Sequence, residues 1–275
     1  MPTSPLPKRG AKPPLESKRP RFILPFILIG VLAVLAVAVI AMPASLVRRF
    51  LPPFIDADDF SGTLWHGSAG RITVNARDIG AVEWHLHPLP LLRLTLSADL
   101  HWVKVAFVAD GTVDVDRRGF TFSNFAGDGP IEALGDVGVP PGWHGTGSFK
   151  FTHLEAAFAN GSATVLSAVG DVSVSALASP EVAAGADLGG YVLHIANGAV
   201  TPNADATAEL SDTGGPLEVN ATIHFSVKDH VGMLTGTIKE RPDAPPALRS
   251  QIDNLTQIHP RDGQGRVPVD LEFTL

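Results

Sequence analysis

The first candidate for chemistry is a serine in a glycine-rich stretch, Gly67-Ser68-Ala69-Gly70. A hydrolase nucleophile of this kind needs the spacing Gly-x-Ser-x-Gly at a turn between a strand and a helix, where its hydroxyl is exposed. Here His66 occupies the position of the first glycine. The sequence therefore predicts a hairpin loop at 67–70 and no catalytic serine.

A second candidate is the alternating string Glu83, His85 and His87. Alternate residues of a strand share one face and lie about 7 Å apart, so two imidazoles could chelate a metal if a neighbouring strand supplied a third ligand. No motif in the sequence supplies that ligand, which favours a solvated polar face. We therefore predict no catalytic, cofactor-binding or metal-binding residue in this chain.

Each of the four tryptophans adjoins a histidine, in the pairs Trp65-His66, Trp84-His85, His101-Trp102 and Trp143-His144. Neighbouring residues of a strand point to opposite faces of the sheet. Such a pair is typical of one buried aromatic ring beside one exposed imidazole. We predict that Trp65, Trp84 and Trp102 belong to the structural core.

The elements that position these residues are predicted to be strands, because apolar and polar residues alternate from residue 60 onward. Val82, Trp84 and Leu86 form one apolar set, and a longer alternating run continues to Trp102. The alternation then shifts by one residue, which predicts a bulge or bend near Trp102. Hairpin turns are predicted at 116–119, 228–232 and 262–265.

The predicted fold is mostly β: a twisted antiparallel sheet or groove built from two similar halves, about 60–127 and 143–275. Four segments that begin with Gly-Thr, at positions 62, 111, 145 and 236, support the repeat. The loop-rich segment 128–143 joins the halves. The apolar spacing of Leu248, Ile252 and Leu255 predicts one short helix within 245–258.

The N-terminal part has a different character. Residues 22–42 form an uncharged run of 21 residues, close to the roughly 20 that cross a bilayer as a helix, which predicts a transmembrane segment. A cleaved signal peptide is the alternative, but its apolar region would be shorter. Residues 1–21 are predicted to be a disordered basic cytoplasmic tail, 43–59 a juxtamembrane segment, and 60–275 a periplasmic β-domain.

The distribution of charge supports that topology. The tail carries six basic residues and one acidic residue, whereas only Arg48 and Arg49 follow the apolar run closely, so the N-terminus is predicted to be cytoplasmic. Of the 21 basic and 28 acidic residues in the chain, 15 and 27 follow the tail, a formal charge of −12. This acidity argues against a nucleic-acid-binding domain. The chain has no cysteine, so disulfides and thiolate metal sites are excluded.

Several stretches, in order along the chain, carry a resemblance to a known family. They are "MPASLVRRFLP", "SGTLWHGSA", "GAVEWHLHPLPLLRLTLSADL", "LSDTGGPLEVNATIHF", "GTIKERPDAPPALRSQIDNL" and "DGQGRVPVDLEFTL". Together, over about 43–275, they resemble the type II secretion system protein N family, GspN. The resemblance implies a single-pass inner-membrane component of the Gram-negative general secretion pathway, which exports folded proteins from the periplasm. It also implies a non-catalytic module that binds the secretin or inner-membrane platform subunits.

A second function remains open. The predicted fold is also similar to the β-grooves of AsmA-like proteins, which are anchored by one helix and handle lipid. The two functions differ in what they expect of the apolar residues. A groove leaves apolar side chains on an open concave face, whereas a closed partner-binding sandwich seals them in its interior.

Overall fold

A computed structural model of the protein describes residue 34 and residues 37–137, 139–159, 162–197, 206–226, 231–257 and 259–274. The predicted tail 1–21 lies outside these residues, as does the predicted membrane segment 22–42 except for residues 34 and 37–42. Among the described residues, no helix combines the length and apolar character needed to cross a bilayer. The contacts divide the chain into two units, Met1–Ala41 and Met42–Leu275, and the sheet lies wholly in the second.

The described residues of the second unit form one antiparallel sheet of thirteen strands, in which every strand pairs with its neighbours in sequence order. The strands are β1 (Ile55–Gly62), β2 (His66–Val74), β3 (Arg77–His87), β4 (Leu96–Lys104), β5 (Phe107–Val115), β6 (Gly119–Pro130), β7 (His144–Ala159), β8 (Ser162–Ala178), β9 (Gly190–Asn197), β10 (Ala206–Gly214), β11 (Leu217–Ser226), β12 (Val231–Glu240) and β13 (Val267–Thr274). The predicted mostly-β, antiparallel class is therefore confirmed. The pairing continues through the predicted join between the halves without a break.

Short helices accompany the sheet. Helix α1 (Pro246–Thr256) lies between β12 and β13, where the sequence predicts it. In the part of the chain that the structure describes, four 3-10 helices cover Ala44–Phe50, Pro90–Arg93, Ile131–Val137 and Ala183–Gly185. The helix at Ile131–Val137 follows β6 directly and also contacts β3, β5 and β7, so it lies over the sheet.

The predicted bulge near Trp102 is wrong, because the phase shift marks the end of a strand. Lys104 of β4 pairs with Phe107 of β5, so only Val105 and Ala106 form the turn between them. Val105 has a φ of 57° and is 85% exposed. A β-branched residue rarely takes a positive φ, and the turn lacks the usual Gly, Asn or Asp signal. For this reason the alternation pattern alone does not reveal it.

The predicted loop at 67–70 is also wrong, since these residues lie inside β2. The turn between β1 and β2 is made instead by residues 63–65, with the Thr63 N–H donating to the His66 carbonyl oxygen over 2.8 Å. Trp65 therefore lies in a turn. The first strand also begins at Ile55, so the sheet starts within the stretch assigned to the juxtamembrane segment.

The predicted turns at 116–119 and 262–265 are confirmed by backbone hydrogen bonds. The Asp116 N–H donates to the Gly119 carbonyl over 3.0 Å, and the Gly265 N–H donates to the Asp262 carbonyl over 3.0 Å. Between β11 and β12, Ser226 pairs with Val231, so a hairpin is present there. Residues 227–230 of that predicted turn lie outside the described residues.

Helix α1 buries only part of the apolar face that the sequence predicts for it. Leu248 and Ile252 are buried, whereas Leu255 is 40% exposed, so the apolar face is narrower than the sequence predicts. Leu248 joins Leu188 and Ala244 in a small core cluster. A second cluster, formed by Leu86, Ala98 and Val113, lies at the N-terminal end of the sheet.

An ion pair holds the chain where it leaves β12. Arg241 donates to Asp212 Oδ1 over 2.6 Å and to the carbonyl oxygens of Gly215 and Leu217. Burial alone would raise the pKa of Asp212, but hydrogen bonds from the Val219 N–H and from Arg241 outweigh it and hold that pKa below its ordinary value. The pair therefore fixes the turn between β10 and β11.

Candidate interaction surface

Residues that pair directly across antiparallel strands point to the same face of a sheet. Following the pairs from β1 to β13 therefore traces a row of side chains on one face. We call one such row the apolar row: Phe60, Ala69, Val82, Trp102, Ala109, Gly127, Phe149, Val172, Leu193, Leu210, Ala221, Gly236 and Val269. It crosses all thirteen strands, and none of its members is charged.

The adjacent residue in each strand belongs to the opposite face. These residues form the polar row: Ser61, Ser68, Glu83, His101, Asp110, Ala126, Lys150, Asp171, His194, Glu209, Thr222, Thr235 and Asp270. Ala126 is its one apolar member. Along these two rows, one side of the sheet is therefore apolar and the other is mostly polar.

A second uncharged row runs beside the apolar row on the same face. It consists of Gly67, Trp84, Leu100 and Gly111 on β2 to β5, and of Phe125, Phe151, Gly170, Ile195, Ala208, Ile223, Leu234 and Leu271 on β6 to β13. A β-bulge separates the two segments. The two rows together form a broad uncharged band.

Aromatic rings lie across glycines in this second row. A Cβ atom at Gly67 would lie 2.6 Å from Trp84 Cζ2, and one at Gly111 would lie 2.9 Å from Phe125 Cδ2. The same arrangement recurs at Gly170, where the Cβ would lie 2.8 Å from a Phe151 ring carbon. Each ring thus occupies the space that a side chain on the neighbouring strand would need. At these glycines the apolar face is therefore covered by flat rings, and no side chain projects from the glycine position itself.

The apolar face is partly accessible to solvent. In the apolar row Ala69, Ala109 and Ala221 are buried, while the larger side chains stay partly accessible. Val172, near the middle, is 37% exposed, and Leu271 at the end of the second row is 57% exposed. At these positions the apolar side chains are therefore accessible to solvent.

A hollow of about 280 Å³ lies on this face, between the 3-10 helix at Ile131–Val137 and strands β7 to β10. Four members of the apolar row line it, Phe149, Val172, Leu193 and Leu210, with Tyr191 at one side. The Tyr191 hydroxyl donates to the Leu188 carbonyl oxygen over 2.8 Å. Burial raises the pKa of Tyr191, so this hydroxyl stays neutral and the hollow carries no charge from it.

The three tryptophans assigned to the core are all half-buried. Trp65 and Trp84 pack against the cluster of Leu86, Ala98 and Val113. The Trp84 Nε1 donates to the Leu64 carbonyl oxygen over 2.9 Å, and the Trp102 Nε1 donates to that of Ile79 over 2.6 Å. Trp84 and Trp102 thus belong to the apolar face, and the contribution of all three to stability stays a prediction.

The histidines and the serine considered for catalysis lie on the polar face. The ring centroids of His66 and His85 are 4.0 Å apart, and those of His85 and His87 are 5.5 Å apart and stacked. His66 and His85 border an open depression of about 510 Å³ together with Ser68, whose hydroxyl lies 2.7 Å from that of Ser61. Within the described residues, no group of three or more His, Asp or Glu side chains is arranged to hold a metal ion.

Acidic side chains accompany these histidines. His87 Nε2 lies 3.0 Å from Asp99 Oδ2, and His101 Nδ1 lies 2.6 Å from Asp110 Oδ1. The hydrogen bond with His87 lowers the pKa of Asp99, so the carboxylate stays ionised at neutral pH. Since these groups are exposed, their hydrogen bonds are hydrated.

The two terminal strands differ in how their outer edges are occupied. Beside β1, Arg48 forms ion pairs with Asp56 and Asp58 over 3.0 and 3.5 Å. Among the described strands, β13 pairs only with β12, and its residues Asp270 and Leu271 are exposed. β13 is therefore the more accessible edge among the described strands.

Sequence reasoning missed the apolar row in the second half of the sheet. The alternation of Val172 with Asp171, and of Leu193 with His194, is visible in the sequence and marks the apolar side of each strand. Alignment of these patterns in consecutive order would have suggested the row. Its exact composition depends on the register, which β-bulges in the β7–β8 pair shift.

The chain was compared with known proteins. The family model for type II secretion system (T2SS), protein N, matches residues 54–270, which covers the sheet from just before β1 to within β13. No match was found among curated proteins or among solved structures. The family model covers most of the chain and agrees with the resemblance found in the sequence. The chain belongs to the type II secretion system protein N family.

Proposed function

We propose that this protein is a non-catalytic interaction subunit of the type II secretion system that is anchored in the inner membrane. It helps folded proteins pass from the periplasm across the outer membrane by holding other components of the machine. The observation that carries this proposal is the family match over residues 54–270. The continuous thirteen-strand sheet supports a binding role because it offers a large surface.

The proposed layout follows the sequence. Residues 22–42 form the membrane anchor, the basic tail 1–21 lies in the cytoplasm, and the domain that begins near residue 60 lies in the periplasm together with the juxtamembrane segment 43–59. The uncharged run and the basic bias of the tail support this topology. The two halves, about 60–127 and 143–275, would arise from a repeated hairpin unit.

The proposed partners are the secretin, the inner-membrane platform subunits, or both. The edge of β13 is the proposed contact, because an exposed edge strand has backbone groups available for pairing with a strand of another chain. Pro268 lies within this strand, and proline is tolerated at an edge because it has no N–H to donate. Asp270 and Glu272 are exposed on the same strand, which favours a partner segment with basic residues.

Two measurements test the proposal. Deletion of the gene should leave secreted enzymes in the periplasm, and the full chain should restore their release. A photo-crosslinking amino acid in place of Leu271 should capture the secretin or a platform subunit in intact cells. The same substitution at Val105, an exposed turn residue, is the control for chance encounters. Normal secretion without the gene, together with equal capture at both positions, would refute the proposed function.

A further inference from the structure

The two uncharged rows of the apolar face have almost no group that can form a hydrogen bond with another molecule. The two uncharged rows contain only two polar side-chain atoms, the indole nitrogens of Trp84 and Trp102. Both already donate to backbone carbonyl oxygens of the same chain. A typical protein interface has about one hydrogen bond per 100–200 Å². These rows therefore fit an occupant that needs no hydrogen bonds.

The shape of the face points in the same direction. Where Trp84, Phe125 and Phe151 lie across glycines, the surface lacks the upright side chains that interdigitate with the side chains of a partner protein. The hollow beside Val172 and Leu193 is apolar, and its volume of about 280 Å³ is close to the lower end of the range for small-molecule sites, about 300 Å³. A thin flexible apolar chain can lie along such a floor and enter such a hollow.

The distribution of charge between the two faces also indicates what kind of molecule the apolar row can bind. The apolar row has no charge at any of its thirteen positions, whereas the polar row on the opposite face carries acidic, basic and imidazole side chains. With neighbouring strands about 4.8 Å apart, its twelve steps span about 58 Å along the sheet. One leaflet of a bilayer is about 15 Å of hydrocarbon. The row is therefore long enough for more than one lipid tail, and its lack of charge complements hydrocarbon.

We propose that the apolar face of this sheet binds the acyl chains of membrane phospholipids, with the hollow lined by Val172, Leu193 and Leu210 as the principal site. The polar row faces water while the lipid tails are shielded against the opposite face. A second copy of the chain or a partner helix would place side chains on the same band and is the competing occupant. The inference adds a ligand to the secretion component proposed above, and its test needs no secretion assay.

The test uses the full chain in its own membrane. A photo-crosslinking phenylalanine analogue is placed at Val172 in the hollow or at Val192, a half-buried position whose strand partners Ser173 and Ser211 mark it as part of the polar face. After irradiation and purification, mass spectrometry of the adduct identifies the captured molecule. We expect phospholipid on the analogue at Val172 and none on the analogue at Val192. A protein adduct at Val172, or equal lipid capture at both positions, would overturn the inference.

A second experiment excludes a failure of folding as the explanation. With the crosslinking residue at Leu210, the variants Val172→Asp and Val192→Asp introduce the same charge on opposite faces. Because a charge inside an apolar site strongly disfavours hydrocarbon, Val172→Asp should reduce lipid capture at Leu210 by about tenfold or more, and Val192→Asp should leave it unchanged. Val172 is already 37% exposed, so its aspartate variant is expected to fold. Equal capture in both variants would contradict the proposal even if the protein still captures secretion components.

Discussion

Replacement of Trp84 by alanine should loosen one end of the sheet and leave the other end intact. The Trp84 ring makes an edge-to-face contact with Phe60 at 6.3 Å and occupies the space above Gly67. A buried aromatic side chain removes about 150 Å² from water at the low end of the usual range, worth about 4 kcal/mol at about 25 cal/mol per Å². Because Trp84 is only half-buried, we expect a loss of about 3 kcal/mol, at the low end for Trp→Ala.

Strands that contact only their sequence neighbours should transmit such a loss over a short distance, as in repeat proteins. Hydrogen–deuterium exchange of the full chain in detergent measures this strand by strand. The amides of β2, β3 and β4 should exchange about 100-fold faster in Trp84→Ala, since each 1.36 kcal/mol is a factor of ten. Those of β10 to β12 should not change. In the control His85→Ala, which removes an exposed side chain from the opposite face, exchange should stay close to that of the native protein.

A uniform acceleration across all thirteen strands would refute the reasoning, because it would mean that the sheet opens as one unit. No acceleration in β2 to β4 would refute the assignment of Trp84 to the core.

Three further predictions concern other parts of the sheet. The pKa of Asp212 in the folded protein lies below its ordinary value of 3.8. The stabilisation that the ionised Asp212 provides is therefore complete above pH 3.8 and is lost as the pH falls through the lower pKa of the folded protein. In thermal unfolding followed from pH 2 to 6, Asp212→Asn should remove this acid-dependent part of the stability. Gly170→Ala should lower the thermal midpoint, since the added Cβ would lie 2.7 Å from Phe151 Cα; an unchanged midpoint would show that the strands move apart easily. Leu248→Ala should cost about 2–5 kcal/mol in urea unfolding because the side chain is buried, whereas the exposed Leu255→Ala should cost less than about 1 kcal/mol.

Alternation of apolar and polar residues predicted the class of fold because one face of each strand lies on the apolar side of the sheet. It located the strand that contains Val82, Trp84 and Leu86, which is β3. It could not locate turns that lack typical turn residues. At Val105 the strand register imposes a positive φ on a valine, and no neighbouring residue type predicts that conformation.

The misplaced loop at 67–70 has a related cause. Small residues in this stretch suggested a turn, but Gly67 is small because the Trp84 ring occupies the adjacent space. That requirement comes from a residue 17 positions later in the chain. The histidines behaved differently: their exposed positions on the polar face followed from alternation alone. Local patterns thus predicted the direction of side chains, while contacts between strands determined where small residues were needed.

Because the strands pair strictly in sequence order, the width of the sheet is set by the number of its strands. Every strand from β2 to β12 contacts the strand before it and the strand after it, so one hairpin could be added or removed at a turn without rearranging the remaining pairs. Each added hairpin would widen the sheet by about 10 Å and would extend both uncharged rows by two positions. The distance that such a protein covers is therefore set in discrete increments by its number of hairpins, much as the number of repeats sets the length of a solenoid.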